Sequence, residues 1–208
     1  MRRTITAFLG MAIMVTALAA PAAAAPETAE DGHLGNIVEE LLELNAETGR
    51  YDILIEAVLF AADNGVDLLT PLSTVDGLTL FAPTDYAFVK LARELTGDNS
   101  IRQGAAFGVI AGVLVEAGGG LDGAVELLAD TLTYHVAPVV INTRDRNKGP
   151  GEWEMLNGDT LYVRGFMVAD TADRTGKIFK GRTERASNGR IYTTNIVVLP
   201  NSLTGGAS

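Results

Sequence analysis

The sequence predicts an α+β fold, and three observations carry that prediction. Through Leu132 apolar residues recur mostly at helical spacing, whereas from Tyr134 onward they alternate with polar ones at strand spacing. The run Leu78-Thr-Leu-Phe-Ala-Pro-Thr-Asp-Tyr-Ala-Phe88 joins a strand to a helix through a proline. A helical half followed by a β half is the pattern of helices packed on a β-sandwich or wedge.

The first 24 residues predict an address rather than structure. Arg2 and Arg3 form a basic start, Ile5 to Ala20 an apolar run, and Ala22 and Ala24 an A-x-A cleavage pattern. The run is short for a span of about 20 residues, so a cleaved export leader and a secreted or periplasmic product, with no membrane insertion after cleavage, are expected. Residues 25–35 are polar and read as a disordered arm, and one domain is expected over 36–200.

Asn36 caps a first helix running through Leu44, with Ile37, Leu41 and Leu44 on one face. A second helix, Tyr51 to Ala62, is apolar nearly all round and therefore central; Asn64-Gly65 ends it. Thr79, Leu80 and Phe81 then form a strand, which Pro83 closes because it has no N–H to give. Thr84 or Asp85 caps the following helix, and Ala87, Phe88, Leu91, Ala92 and Leu95 turn inward while Lys90, Arg93 and Glu94 face water. Gly97 ends it. The stretch 104–132 is apolar and broken at Gly118-Gly-Gly120, which leaves its conformation open.

In the β half, Trp153 and Met155 alternate with Glu152 and Glu154, and Asn157-Gly158 turns the chain into Leu161-Tyr-Val163. Further strands are expected at 166–169, 177–179 and 191–199. The last is entered through the turn Ser187-Asn188-Gly189 and closed by Pro200, with a flexible tail over 201–208.

The chain has no cysteine, so neither a disulfide framework nor a thiolate metal site is available. Roughly 180 residues bury about 70 percent of their unfolded surface, enough for one domain without staples. Charge is uneven: residues 25–139 carry 4 Lys and Arg against 19 Asp and Glu, a net −15, while residues 140–208 carry 10 against 7, a net +3. Such acidity argues against nucleic acid as a partner.

Three patterns bear on chemistry. Gly118-Gly-Gly120-Leu-Asp-Gly123 satisfies G-x-G-x-x-G, with Asp145 downstream at dinucleotide-binding spacing. Read otherwise, it is a turn between two helices. His135 is the one histidine within 36–200; no H-x-x-x-H or G-x-S-x-G accompanies it, which favours a histidine satisfied by neighbouring backbone over a base or ligand, and no metal or other cofactor is expected. Asp170 and Asp173 lack the spaced oxygen ligands of a calcium loop and read as a turn. The basic segment holds Arg144, Arg146, Lys148, Arg174, Lys177, Lys180, Arg182 and Arg185. If these share a face they form a docking patch for an anionic polysaccharide, another protein, or the acidic half of a second copy; the alternative is strand edges kept apart by charge.

Three segments carry a family resemblance. Leu78–Phe88, the internal Tyr134-His135 and the terminal Asn188-Gly189…Pro200 stand in the order and separations of the fasciclin domain signature, which this chain resembles over residues 36–200. Phe81, Pro83, Thr84, Asp85 and Phe88 belong to the first block. The terminal block departs where the family has His, Ile and Asp: here stand Tyr192, Thr194 and Asn195. The resemblance implies a non-catalytic domain for adhesion or protein interaction at the cell surface or in the matrix, with Tyr134 and His135 tied to fold integrity and receptor adhesion. The alternative is a periplasmic small-molecule or nucleotide domain, or an enzyme, built on His135 or the Gly118–Gly123 loop.

Overall fold

In the computed structural model residues 34–143 and 151–205 are described; the expected leader, the arm up to residue 33, and Arg144, Arg146 and Asp145 lie outside them. The described residues belong to one unit. Its helical half comprises α1 (Ile37–Thr48), α2 (Asp52–Asp63), α3 (Leu69–Thr74), α4 (Asp85–Thr96), α5 (Gln103–Gly118) and α6 (Leu121–Thr133). Strand β1 (Leu78–Pro83) lies between α3 and α4 in the chain. After α6 come β2 (Val136–Ala137), β3 (Gly151–Glu154), β4 (Thr160–Arg164), β5 (Met167–Ala169), β6 (Thr175–Ala186), β7 (Gly189–Thr194) and a last helical turn, α7 (Asn201–Thr204). The fold is α+β.

The described strands form one sheet in the order β2-β1-β7-β6-β5-β4-β3. All neighbours are antiparallel except β1 and β7, which run parallel from Leu78↔Gly189 to Pro83↔Thr194. The first sequence block thus lies against the terminal one. Residues 175–177 of β6 pair with β5, Ile178 and 183–186 pair with β7, and the β6–β7 register shifts between Ile178 and Thr183. An irregularity of this kind bends a strand, and it lets one strand serve both parts of the sheet.

Strands β1 and β7 separate two apolar interiors. Leu78, Leu80, Ala82 and Ile191 face the helices, whereas Phe81 and Tyr192 point the other way, into a cluster with Met155, Leu161, Val168 and Ile178. Side chains of a strand alternate between its faces, so a strand buried on both reads as a continuous apolar run. Phe81 and Tyr192, paired across the ladder, stack at 5.7 Å between ring centroids.

Local signals explain most boundaries. Asn36 Oδ1 accepts from the backbone of Val38 and Glu39, and the Glu39 carboxylate accepts from Asn36 N at 2.8 Å, a reciprocal cap on α1. Gly49, Gly97 and Gly119 end α1, α4 and α5 in the left-handed conformation. Pro83 is the last residue of β1, as its missing N–H requires.

Several expectations are corrected. Thr84 occupies the cap position of α4, but its side chain makes no cap bond there, and the Asp85 carboxylate points to α2 instead. Leu95 is exposed rather than inward. The strand expected at 177–179 extends to twelve residues, and the one expected at 191–199 ends at Thr194; Val197, Val198 and Leu199 are buried without being in a strand. Leu34 and Gly35, at the end of the expected arm, lie within the described residues, and Gly35 is pinned by hydrogen bonds with Glu40 and Ser187. The expected tail begins with an ordered turn, in which Asn201 N and Nδ2 donate to Asp159 at 2.8 Å each.

Candidate functional site

Tyr134 and His135 terminate α6 and face inward. His135 is 2% exposed; its Nδ1 lies 2.7 Å from the Thr131 carbonyl and its Nε2 3.2 Å from Val198 N. A backbone N–H can only donate, so Nε2 accepts, and Nδ1 carries the proton given to a carbonyl left free at the helix end. Burial pushes the His135 pKa down to about 4, against the opposing effect of the Thr131 carbonyl. The imidazole is therefore a neutral clip between α6 and the segment after β7. For it to act as a base or a ligand, one of these two bonds must break.

Tyr134 is 0% exposed, and its hydroxyl donates to the Thr160 carbonyl at 2.7 Å. Burial, with Asp170 nearby, raises its pKa. Neither residue of the pair presents a polar atom to solvent.

The terminal block is equally engaged. Asn188 Oδ1 accepts from Ile37 N at 2.9 Å, capping α1 from across the fold, while Nδ2 donates to the carbonyls of Leu72 and Val75. Gly189 has no room for a side chain, because a Cβ there would stand 2.3 Å from the Leu78 carbonyl oxygen. Pro200 caps α7 and accepts from Leu203 N and Thr204 N. Where this sequence departs from the family pattern, Tyr192 donates to the Ile141 carbonyl at 2.9 Å and Asn195 accepts from Lys177 N at 2.6 Å.

The glycine run is a corner between two helices. Val115 lies within α5, so a helix and not a strand leads into the glycines, and α5 and α6 meet at a bend of 113°. A Cβ on Gly118 would stand 2.4 Å from the Gly123 carbonyl carbon, so these glycines permit two backbones to touch. A dinucleotide fold needs a strand feeding a helix N-terminus at this point, and the chain places the C-terminus of α5 there. Asp170 is buried and accepts from Ala172 N, Arg174 N and Leu199 N, which makes its loop a turn. Among the described residues no group of three His, Cys, Asp or Glu side chains could hold a metal ion.

The basic segment divides. Arg174 is bound to Glu94 at 2.9 Å and to Asp170 at 3.4 Å. Arg182 lies on β6, its side chain outside the described residues. Arg185 is exposed and stands directly opposite Arg190 on β7. Among the described residues neither guanidinium has a carboxylate partner. The two border an open hollow of about 360 Å³ whose rim includes the exposed Leu34 and Val140. Arg190 was missed by sequence reasoning, although the two-residue turn at Ser187-Asn188 sets a register that places residue 190 across from 185.

No protein-family model matches this chain, and no curated protein sequence does. Among solved structures it is similar to a FAS1 domain pair from the insect cell adhesion molecule fasciclin I, at 13% identity and a TM-score of 0.44. That match covers 70% of this chain and 45% of the other.

Proposed function

We propose that this chain is an exported, fasciclin-like interaction domain that works by binding and holds an anionic partner at the cell surface or in the matrix. The observation that carries the reading is the Arg185–Arg190 pair. Like charges directly opposite on a sheet destabilise it, so two guanidiniums in that register, without a carboxylate partner among the described residues, favour a ligand that neutralises both. Guanidinium forks suit carboxylate and sulfate groups, and the exposed apolar rim adds contact for the rest of the partner.

The leader pattern at residues 1–24 supports export, and the three sequence blocks support the fasciclin-like assignment. Tyr134 and His135 serve this function from inside, by fastening the end of α6 to the start of β4 and to the segment after β7. The chain is acidic overall, so attraction of an anion to the pair is local, and salt at physiological strength screens it beyond about 8 Å.

The test is binding to immobilised sulfated and carboxylated polysaccharides and to an acidic matrix protein across a salt series. Arg185→Glu with Arg190→Glu is expected to weaken binding at least tenfold and flatten its salt dependence, with the melting temperature retained. Equal binding by the wild-type chain and this variant would remove the pair from the function.

A further inference from the structure

We infer that the cavity enclosed by α2, α4, α5, α6 and α7 binds a small uncharged apolar molecule of about the size of one benzene ring. Its volume is about 140 Å³ and its walls are side chains such as Leu54, Phe88, Ile110, Leu128 and Leu199. The polar side chains that border it are already engaged: Thr131 Oγ1 donates to the Leu127 carbonyl at 2.7 Å, and both His135 nitrogens bind backbone. A charged or hydrogen-bonding guest would lose its water and gain nothing in exchange. A hydrocarbon loses little. In another protein an engineered cavity of about 150 Å³ with comparable walls stays dry and takes benzene or xenon.

The geometry also supplies an entrance. Most of the lining is buried, but Leu95 is 43% exposed, Ala117 is exposed, and Val113 and Leu203 are half-buried, so the solvent edge lies between α4, α5 and α7. Leu203 rides on α7, a single turn fastened by Asn201 to Asp159 and by Ser202 to Asp130. A turn held by hydrogen bonds at the surface opens at lower cost than the helices behind it. At the inner end Leu54, Leu132 and His135 also border a second cavity of about 40 Å³, too small for a ring, which limits the guest's length. The inference is independent of the Arg185–Arg190 reading.

The experiment is thermal unfolding of the folded chain with benzene, and with benzoate as the charged counterpart. With free benzene at a hundred times Kd, the melting temperature should rise by about 5–10 °C, and benzoate should leave it unchanged. Val113→Phe fills the space from its half-exposed edge and should abolish the rise, whereas Leu91→Ala enlarges the cavity and should extend the response to naphthalene. No rise with benzene, an equal rise with benzoate, or a full rise in a cooperatively melting Val113→Phe variant would each overturn the site. Should Val113→Phe melt without cooperativity, Leu91→Ala decides: a naphthalene response supports the cavity and its lack refutes it.

Discussion

Asp85 Oδ1 accepts a hydrogen bond from the backbone nitrogen of Ile53 at 2.9 Å, so the first residue of α4 caps α2 from 32 positions away. Its other oxygen accepts from Gln103 Nε2 at 2.8 Å, which ties α5 to the same carboxylate. The N-terminus of α2 has no cap from its own flanking side chain, since Tyr51 stands there. One carboxylate thus orders three helices.

Asp85→Ala should therefore cost about 1–3 kcal/mol, read by urea unfolding, because it removes a distant cap and leaves a buried N–H without its acceptor. Burial is the leading cause that raises the Asp85 pKa above its ordinary 3.8. The folded chain then holds this proton more tightly than the unfolded one. The stability it gives is complete below pH 3.8 and is lost as pH rises through the folded-state pKa. Asp85→Asn should flatten that part of the pH profile; an unchanged slope would refute the assignment.

His135 has the opposite slope. Its pKa falls from 6.5 to about 4 on folding, so the unfolded chain takes up the proton first as the solution is acidified. Its contribution is complete above pH 6.5 and is lost as pH falls through about 4, amounting to about 3 kcal/mol. The difference in unfolding free energy between wild type and His135→Gln, measured from pH 4 to 7, should narrow by that order on acidification. An imidazole that titrates near 6.5 in the folded chain by NMR would contradict the clip.

Gly189→Ala should destabilise the chain by about 1–3 kcal/mol through overpacking. The added carbon meets the Leu78 carbonyl oxygen at 2.3 Å and Ile37 Cδ1 at 2.8 Å, and the backbone oxygen cannot swing away as a flexible side chain would. Amide exchange in β1 and β7 should accelerate more than in β3 and β4. Uniform exchange across the sheet would show that the parallel pair is not the part disturbed.

Gly118→Ala should open the α5–α6 corner, because its Cβ would meet the Gly123 carbonyl carbon at 2.4 Å. The expected result is a loss of stability of about 1–3 kcal/mol, seen as a lower denaturation midpoint. An unaltered midpoint would mean that the two backbones are not in contact.

Local chemistry was legible in advance. The Asn36 cap, the end of α2 at Asn64-Gly65 and of α4 at Gly97, the turns at Asn157-Gly158 and Ser187-Asn188-Gly189, and the inward face of Phe88 and Leu91 all depend on a few neighbouring residues. The cap from Asp85 was not legible: its charge suits its own helix equally well, and only packing selects α2. The same holds for the site. Arg185 stood out as a cation, but its pairing with Arg190, and the ion pairs that remove Arg174 from the patch, depend on strand register and on Glu94 of α4.

By itself the sequence determined the α+β class, the cysteine-free core and the alternation that sends side chains to one face or the other, because propensity, turn chemistry and periodicity act over a few residues. Tertiary structure alone decided that β1 lies parallel to β7, that β6 serves both parts of the sheet, that Tyr134 and His135 are interior, and that an apolar cavity lies beside them. Those features arise between segments far apart in the chain, where contact is set by the joint packing of many side chains and no short stretch encodes the outcome.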